Sequence, residues 1–164
     1  MIKKILAPLL FLLILSSNLE TKNNEVIGVG DKNAQIVIKV FSSLTCPHCA
    51  QFHEKVIEDL KKEYVDQNKV RFEHHSFPLD LAALNAEKIL RCTSGVEKSF
   101  QLLSEIYKKQ NLWAVGSDIN VINDSIKKIG KEIGLKESNM DKCLNDENVQ
   151  EQILNERINA QKEY

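Results

Sequence analysis

Proline and glycine are scarce in this 164-residue chain, at 3 and 6 residues, and aromatic residues make up 6%. That excludes the turn-rich, aromatic composition of an all-β sandwich and favours a helix-rich fold with a few strands. A surplus of charge is missing too, because 22 Lys and Arg stand against 23 Asp and Glu, a formal charge of −1. Without a basic surplus, neither nucleic acid nor an anionic membrane surface is expected as the main partner. No internal repeat, low-complexity tract or Gly/Ser linker occurs. What the chain does have is apolar bulk, 43% hydrophobic against 27% charged, enough for one folded domain with a core. It also has four cysteines, and the compartment they occupy decides their chemistry.

Lys3 and Lys4, eleven uncharged residues from Ile5 to Leu15, and then Ser16 and Ser17 follow the charged, apolar, small order of an export signal, expected at 1–17. Eleven residues cover roughly 16 Å as a helix, about half of a bilayer's hydrocarbon core, which disfavours an ordinary spanning helix. Ser17 suits the position before a cut, whereas Leu15 is bulky for the small position two residues earlier. If the signal is cleaved, loss of Lys3 and Lys4 moves the charge from −1 to about −3. If it is not, residues 5–15 tether the protein to the membrane. Either way, export places the thiols where disulfides form and persist.

After a polar lead at 18–25, Val26 to Val29 predicts a short edge strand and Gly30-Asp31-Lys32-Asn33 a turn. Gln35 to Phe41, β-branched and mostly apolar, predicts a strand covered on both faces. It leads through Ser42 to Thr45 into Cys46-Pro47-His48-Cys49. Beyond the motif, Phe52, His53, Val56, Ile57, Leu60 and Tyr64 recur at helical spacing, so that face of a helix is expected on a core. Val70 to Phe77 predicts a second strand, stopped by Pro78-Leu79-Asp80. Strand, helix and strand over 26–80 make a βαβ unit with parallel strands. From Leu81 the pattern is helical, with helices expected at Leu81 to Cys92, Val96 to Leu112, Ser117 to Ile133, Ser138 to Leu144 and Glu147 to the end. Ile119, Ile122, Ile126, Ile129 and Ile133 form the narrow seam of a buried helix. The class is therefore α/β, a βαβ unit joined to a bundle of helices.

Two cysteines separated by two residues, the first at a strand's end and the second in the first helical turn, can close a small disulfide and reopen it. Cys46 then meets unpaired backbone N–H groups and the positive end of a helix, both of which favour an anion. Pro47 suits the first helical position because it has no N–H to leave unpaired. His48 can bring positive charge or a hydrogen bond to the thiolate. A pair whose reduced form is stabilised in this way is an oxidant, readily giving its disulfide to another protein. The reaction read from the motif is thiol-disulfide exchange, with Cys46 as the attackable sulfur and Cys49 as the resolving one, and it needs no cofactor. A permanent disulfide, a zinc or copper site with a distant histidine, and two unrelated core thiols are the alternatives. Covalent haem attachment is excluded, because Ala50 rather than histidine follows Cys49.

Thr45-Cys46-Pro47-His48-Cys49 followed by Phe52, the strand ending Phe77-Pro78-Leu79-Asp80, and the helices behind them resemble the DsbA-like periplasmic disulfide oxidoreductases of the thioredoxin superfamily. The match spans about residues 30–150, and the C-P-H-C segment carries most of it. The resemblance implies a thioredoxin-like βαβ unit with a helical insertion at 81–146. Residues 147–164 would begin the helix leading back to the thioredoxin strands. It implies Cys46 as the nucleophile joined to substrate, Cys49 as its buried partner, and Pro47 and His48 as tuners of the potential. The expected partners are unfolded or reduced exported proteins, and a membrane thiol oxidase that reoxidises the pair.

Two departures from that family stand out. Its members often carry a buried acid six residues before the first cysteine, a proton carrier for the resolving thiol, where this sequence has Val40. Water or Lys39 would have to serve instead. The family also continues into a loop with a cis-proline facing the cysteines, two antiparallel strands and a last helix. No proline follows Pro78 here, and cis peptide bonds are essentially confined to proline, so this C-terminal ββα part is expected to be missing. A non-catalytic binding remnant that lacks this part is therefore a rival reading, and a reductase or isomerase acting through the same cysteines is another.

Cys92 and Cys143 fall on expected helices, 51 positions apart, and are either a structural disulfide or two separate buried thiols. Some members of the resembled family have such a bond. His74 and His75, adjacent on a strand, must point to opposite faces, as packing or solvent residues rather than a shared metal site. His53 is expected at the edge of the core and Trp113 as a core anchor. Lys127, Lys128, Lys131 and Glu132 read as a solvated helix face, and no metal site is expected.

Overall fold

Stretches such as Ile36-Val37-Ile38 and Val70-Arg71-Phe72, rich in β-branched and aromatic residues, favour extended backbone. A computed structural model, which describes residues 26–164, forms strands there. Residues 1–25, with the expected signal and polar lead, lie outside the described residues. The strands are β1 (Ile27–Val29), β2 (Ile36–Ser42) and β3 (Val70–Ser76), in the spatial order β1-β3-β2. Central β3 pairs antiparallel with β1 and parallel with β2, placing Ile38 opposite Phe72, Val40 opposite His74 and Ser42 opposite Ser76. The parallel pairing follows from the helical crossover between the two strands.

One expectation for β2 fails. Ile36 and Val37 are 56% and 43% exposed, because β2 stands at an edge of the sheet and only its Ser42 end is buried. The crossover also differs in detail. It runs as α1 (Pro47–Phe52), a π-helical stretch His53–Ile57, α2 (Glu58–Leu60) and a second π-helical stretch Lys61–Val65. Each π turn widens the residue spacing and rotates the buried stripe. His53, Ile57 and Val65 are therefore inward, while Phe52, Val56 and Tyr64, expected on the core, are exposed. Ile57 and Val65 join Val70 and Phe72 in a cluster between crossover and sheet.

The remaining chain is helical: α3 (Leu81–Leu90), α4 (Val96–Lys108), α5 (Gln110–Trp113), α6 (Ile119–Glu132), α7 (Glu137–Leu144) and α8 (Glu147–Glu163). Asp80, Asp118 and Asp146 cap the N-termini of α3, α6 and α8 by accepting backbone N–H groups of Ala83, Asn120 and Val149. The single helix expected at Val96 to Leu112 is broken at Lys109, so α5 is separate. Ile122, Ile126 and Ile129 are buried as the isoleucine seam predicts. They share the main core with Leu102, Leu103 and Ile106, each fully buried apolar side chain contributing about 1.5–3 kcal/mol. Trp113 anchors this core, its indole N–H donating to the Ile106 carbonyl at 2.8 Å.

Cys92, expected on a helix, lies just beyond the end of α3 and is bonded to Cys143 of α7, with Cα atoms 6.0 Å apart. Lys127, expected in solvent, is partly buried and pairs with Asp124 and Asp141 at 3.0 Å. At the far end, α8 returns to the βαβ unit: Arg157 donates to the Pro78 carbonyl at 2.6 Å and lies over the Phe77 ring. Among the described residues, no helix is long and apolar enough to cross a membrane.

Candidate active site

The turn from β2 into α1 carries the dithiol, and side chains from distant parts of the sequence hold it. Cys46 is the N-cap of α1 in an extended conformation, and Pro47 occupies the first helical turn. The Thr45 hydroxyl donates to Asp80 at 2.7 Å, and Ser43 Oγ accepts the Leu79 N–H at 3.3 Å. From the helical insertion, Gln110 donates to the carbonyls of Leu44 and Cys46 at 2.8 and 3.0 Å. Two backbone acceptors at the Cys46 turn are thus fixed by one amide, a role the sequence pattern did not reveal.

Cys46 and Cys49 are both free thiols and partly buried. Cys46 Sγ accepts the backbone N–H of Cys49 at 3.4 Å. Burial opposes ionisation of Cys46, but hydrogen bonds from the Cys49 thiol and from the backbone N–H groups of Cys49 and His48 outweigh it, and its pKa falls below that of an ordinary cysteine. The opposite holds for Cys49, pushed up to about 11 by burial and then by the hydrogen bond and charge of Cys46. The thiolate is thereby favoured at Cys46 and the protonated thiol at Cys49. Pro47 and His48 are exposed beside them.

Cys49 opens onto a cavity of about 250 Å³ whose walls include Val40, Ser42, His53, Phe72, His74 and Tyr107. The His53 Nε2 lies 3.0 Å from Ser104 Oγ, and its ring packs 4.9 Å from that of Tyr107. Burial, then the neighbouring His74, lowers the His53 pKa to about 4. Lys39, considered above as a proton carrier, does not line this cavity. It lines one of about 470 Å³ against α8, with His75, Arg91 and Glu156.

His74 and His75 point to opposite faces of the sheet, but neither is merely a packing or solvent residue. His75 lies between Glu156 at 2.9 Å and Glu73 at 3.3 Å. His74 contacts Ser42 at 3.2 Å and Glu87 at 2.8 Å. Sequence reasoning passed over Glu87, although a signal was present: it lies four residues after Ala83 and three before Leu90, on the apolar face of α3. Among the described residues, no group of three or more His, Cys, Asp or Glu side chains is placed to hold a metal ion.

A βαβ unit with a dithiol at the start of its crossover helix, followed by a helical insertion, defines a thioredoxin-like protein. A sequence model of the family described as Thioredoxin matches residues 21–164. The chain belongs to that family, as a DsbA-like member of the thioredoxin superfamily. It is 32% identical over 127 residues to a Rickettsia bellii chain named "Putative protein-disulfide oxidoreductase", covering 77% of this chain and 48% of that one. Among solved structures, Wolbachia pipientis alpha-DsbA1 is 27% identical with a TM-score of 0.76, over 84% of this chain and 68% of that one. BdbD of Bacillus subtilis, 16% identical with a TM-score of 0.74, covers 84% of this chain and 75% of its own and shares the fold. The chain spans about half the length of the curated relatives it matches.

Proposed function

We propose that the protein is a thiol-disulfide oxidoreductase that introduces disulfides into exported proteins through Cys46 and Cys49. The observation that carries this reading is the contrast between the two sulfurs: Cys46 is favoured as a thiolate by N–H groups of its own helix turn, while Cys49 is held at a pKa of about 11. A reduced pair stabilised in this way makes its disulfide a good oxidant. A substrate thiolate attacks Cys46 Sγ, forming a mixed disulfide and releasing Cys49. A second substrate thiolate then completes the substrate's disulfide and leaves the pair reduced. Pro47 and His48 tune the potential, and a membrane thiol oxidase returns the pair to the disulfide. The export-signal order at 1–17 and the Cys92–Cys143 bond support an oxidising compartment, the periplasm, as the site of action.

Equilibration of the full chain with glutathione tests the direction of transfer. A potential between about −180 and −120 mV is expected for an oxidant; one below about −300 mV, as structural disulfides have, overturns the proposal.

A further inference from the structure

Glu87 is 0% exposed, and a carboxylate removed so completely from water requires partners. Its Oε1 lies 2.8 Å from His74 Nε2, and its Oε2 accepts the Ser76 hydroxyl at 2.9 Å. His74, 3% exposed, turns Nδ1 to Ser42 Oγ at 3.2 Å. Ser42 Oγ in turn accepts the Tyr107 hydroxyl at 2.9 Å. With the His74 proton on Nε2, every donor has an acceptor in one direction: Tyr107 gives to Ser42, Ser42 to His74, and His74 to Glu87. The alternation of β3 makes this possible, since His74 and Ser76 lie on one face and together grip both carboxylate oxygens.

The other charged groups are placed around this row. Arg91 reaches Ser76 Oγ at 2.9 Å and is paired with Glu156 of α8. His53 adjoins Tyr107 and senses His74. Ser42, His74 and Tyr107 all line the cavity onto which Cys49 opens. Its volume, about 250 Å³, exceeds what a water molecule needs.

We propose that Glu87 is a positioning residue that takes and returns the proton of Cys49 through His74, Ser42 and Tyr107. This rests on the exchange reaction proposed above. When Cys49 resolves a mixed disulfide, its S–H bond breaks and the proton enters the row at the hydroxyls facing the cavity. Each intermediate group gains one proton and passes one on, and the last arrives on the Glu87 carboxylate. The Cys49 sulfur forms a bond to Cys46 Sγ, and the bond from Cys46 to the substrate sulfur breaks, its electron pair leaving with that sulfur as thiolate. In the opposite direction Cys49 leaves as a thiolate and Glu87 returns the proton. No electrons travel along the row. Val40, at the position where the resembled family often has an acid, lines the same cavity, so Glu87 would supply that carboxylate from α3 instead of β2.

Stopped-flow oxidation of the reduced full chain by oxidised glutathione separates the steps. The second-order phase reports attack by Cys46, and the plateau rate at saturating reagent reports resolution by Cys49. In the parent chain the plateau is expected to change little between about pH 6 and about pH 8, because the base is internal. Glu87→Gln should lower it at least about tenfold and make it rise about tenfold per pH unit, as it must when hydroxide produces the thiolate. Tyr107→Phe, lacking a single oxygen, should act in the same direction, and neither variant should alter the second-order phase. If Glu87→Gln loses the parent's circular dichroism, Tyr107→Phe decides alone. An unchanged plateau and slope in the folded variants overturn the relay only. A parent chain that forms no mixed disulfide overturns the exchange reading and the relay with it.

Discussion

The backbone nitrogen of Cys49 stands 3.4 Å from Cys46 Sγ, so each residue of the proposed redox pair bears on the other: the Cys49 N–H favours the anionic form of the Cys46 sulfur. The interaction belongs to the backbone and survives substitution of the Cys49 side chain. Gln110, by holding the Leu44 and Cys46 carbonyls, ties the geometry of this turn to the helical insertion.

Alkylation of the reduced protein should therefore separate the two thiols. Cys46 should react with iodoacetamide with a midpoint below that of free cysteine, about 8.5, whereas Cys49, at about 11, should stay largely unmodified at neutral pH. Peptide mapping after timed quenching measures both, and equal reactivity would contradict the site described here.

Cys49→Ser retains the N–H that Cys46 accepts and removes the resolving sulfur. It should accumulate a stable mixed disulfide with glutathione, visible as added mass, whereas Cys46→Ser should accumulate none.

His53 makes acid stability testable. Its folded pKa of about 4 lies below the 6.5 of an ordinary histidine, so the unfolded chain takes up this proton first. Stability should be fully present above about pH 6.5 and decline as the pH falls towards about 4, by about 3 kcal/mol in all. His53→Gln should flatten that part of the acid limb in urea unfolding. The opposite sign applies to His75, whose pKa is raised, with burial opposing and Glu156 and Glu73 outweighing it. Its contribution is fully present below the ordinary value and lost as pH rises through the raised one.

Replacing both Cys92 and Cys143 with alanine opens a loop of 51 residues' separation and should cost about 4 kcal/mol in the chain-entropy account. Thermal unfolding measures the loss. The alkylation rate of Cys46 should not change, because the bond joins α7 to the C-terminal end of α3, the opposite end from the Asp80 cap that Thr45 contacts.

Gly28→Ala should detach β1 from the sheet. A Cβ there would run into the Phe72 carbonyl oxygen of the paired strand, a backbone atom that cannot move aside. A loss of about 1–3 kcal/mol is expected, with faster amide exchange in β1.

Short-range pattern made the βαβ order, the dithiol at a helix start and the buried Ile122, Ile126 and Ile129 legible in the sequence, because neighbouring residues suffice to specify them. Long-range packing decided the rest. Whether Ile36 and Val37 are covered depends on which strands adjoin β2. Whether Phe52 or His53 faces inward depends on π turns that no fixed helical period anticipates. In the sequence Glu87 is an acid on one expected helix and Tyr107 and Gln110 an aromatic and an amide on the next, until folding brings the first two to His74 and Ser42 and the third to Cys46. Local spacing places Cys46 at the cap of α1 and Cys49 within its first turn. The partners of a buried polar group are chosen by the whole fold, since burial without a hydrogen bond is too unfavourable to persist and its partner can come from any point along the chain.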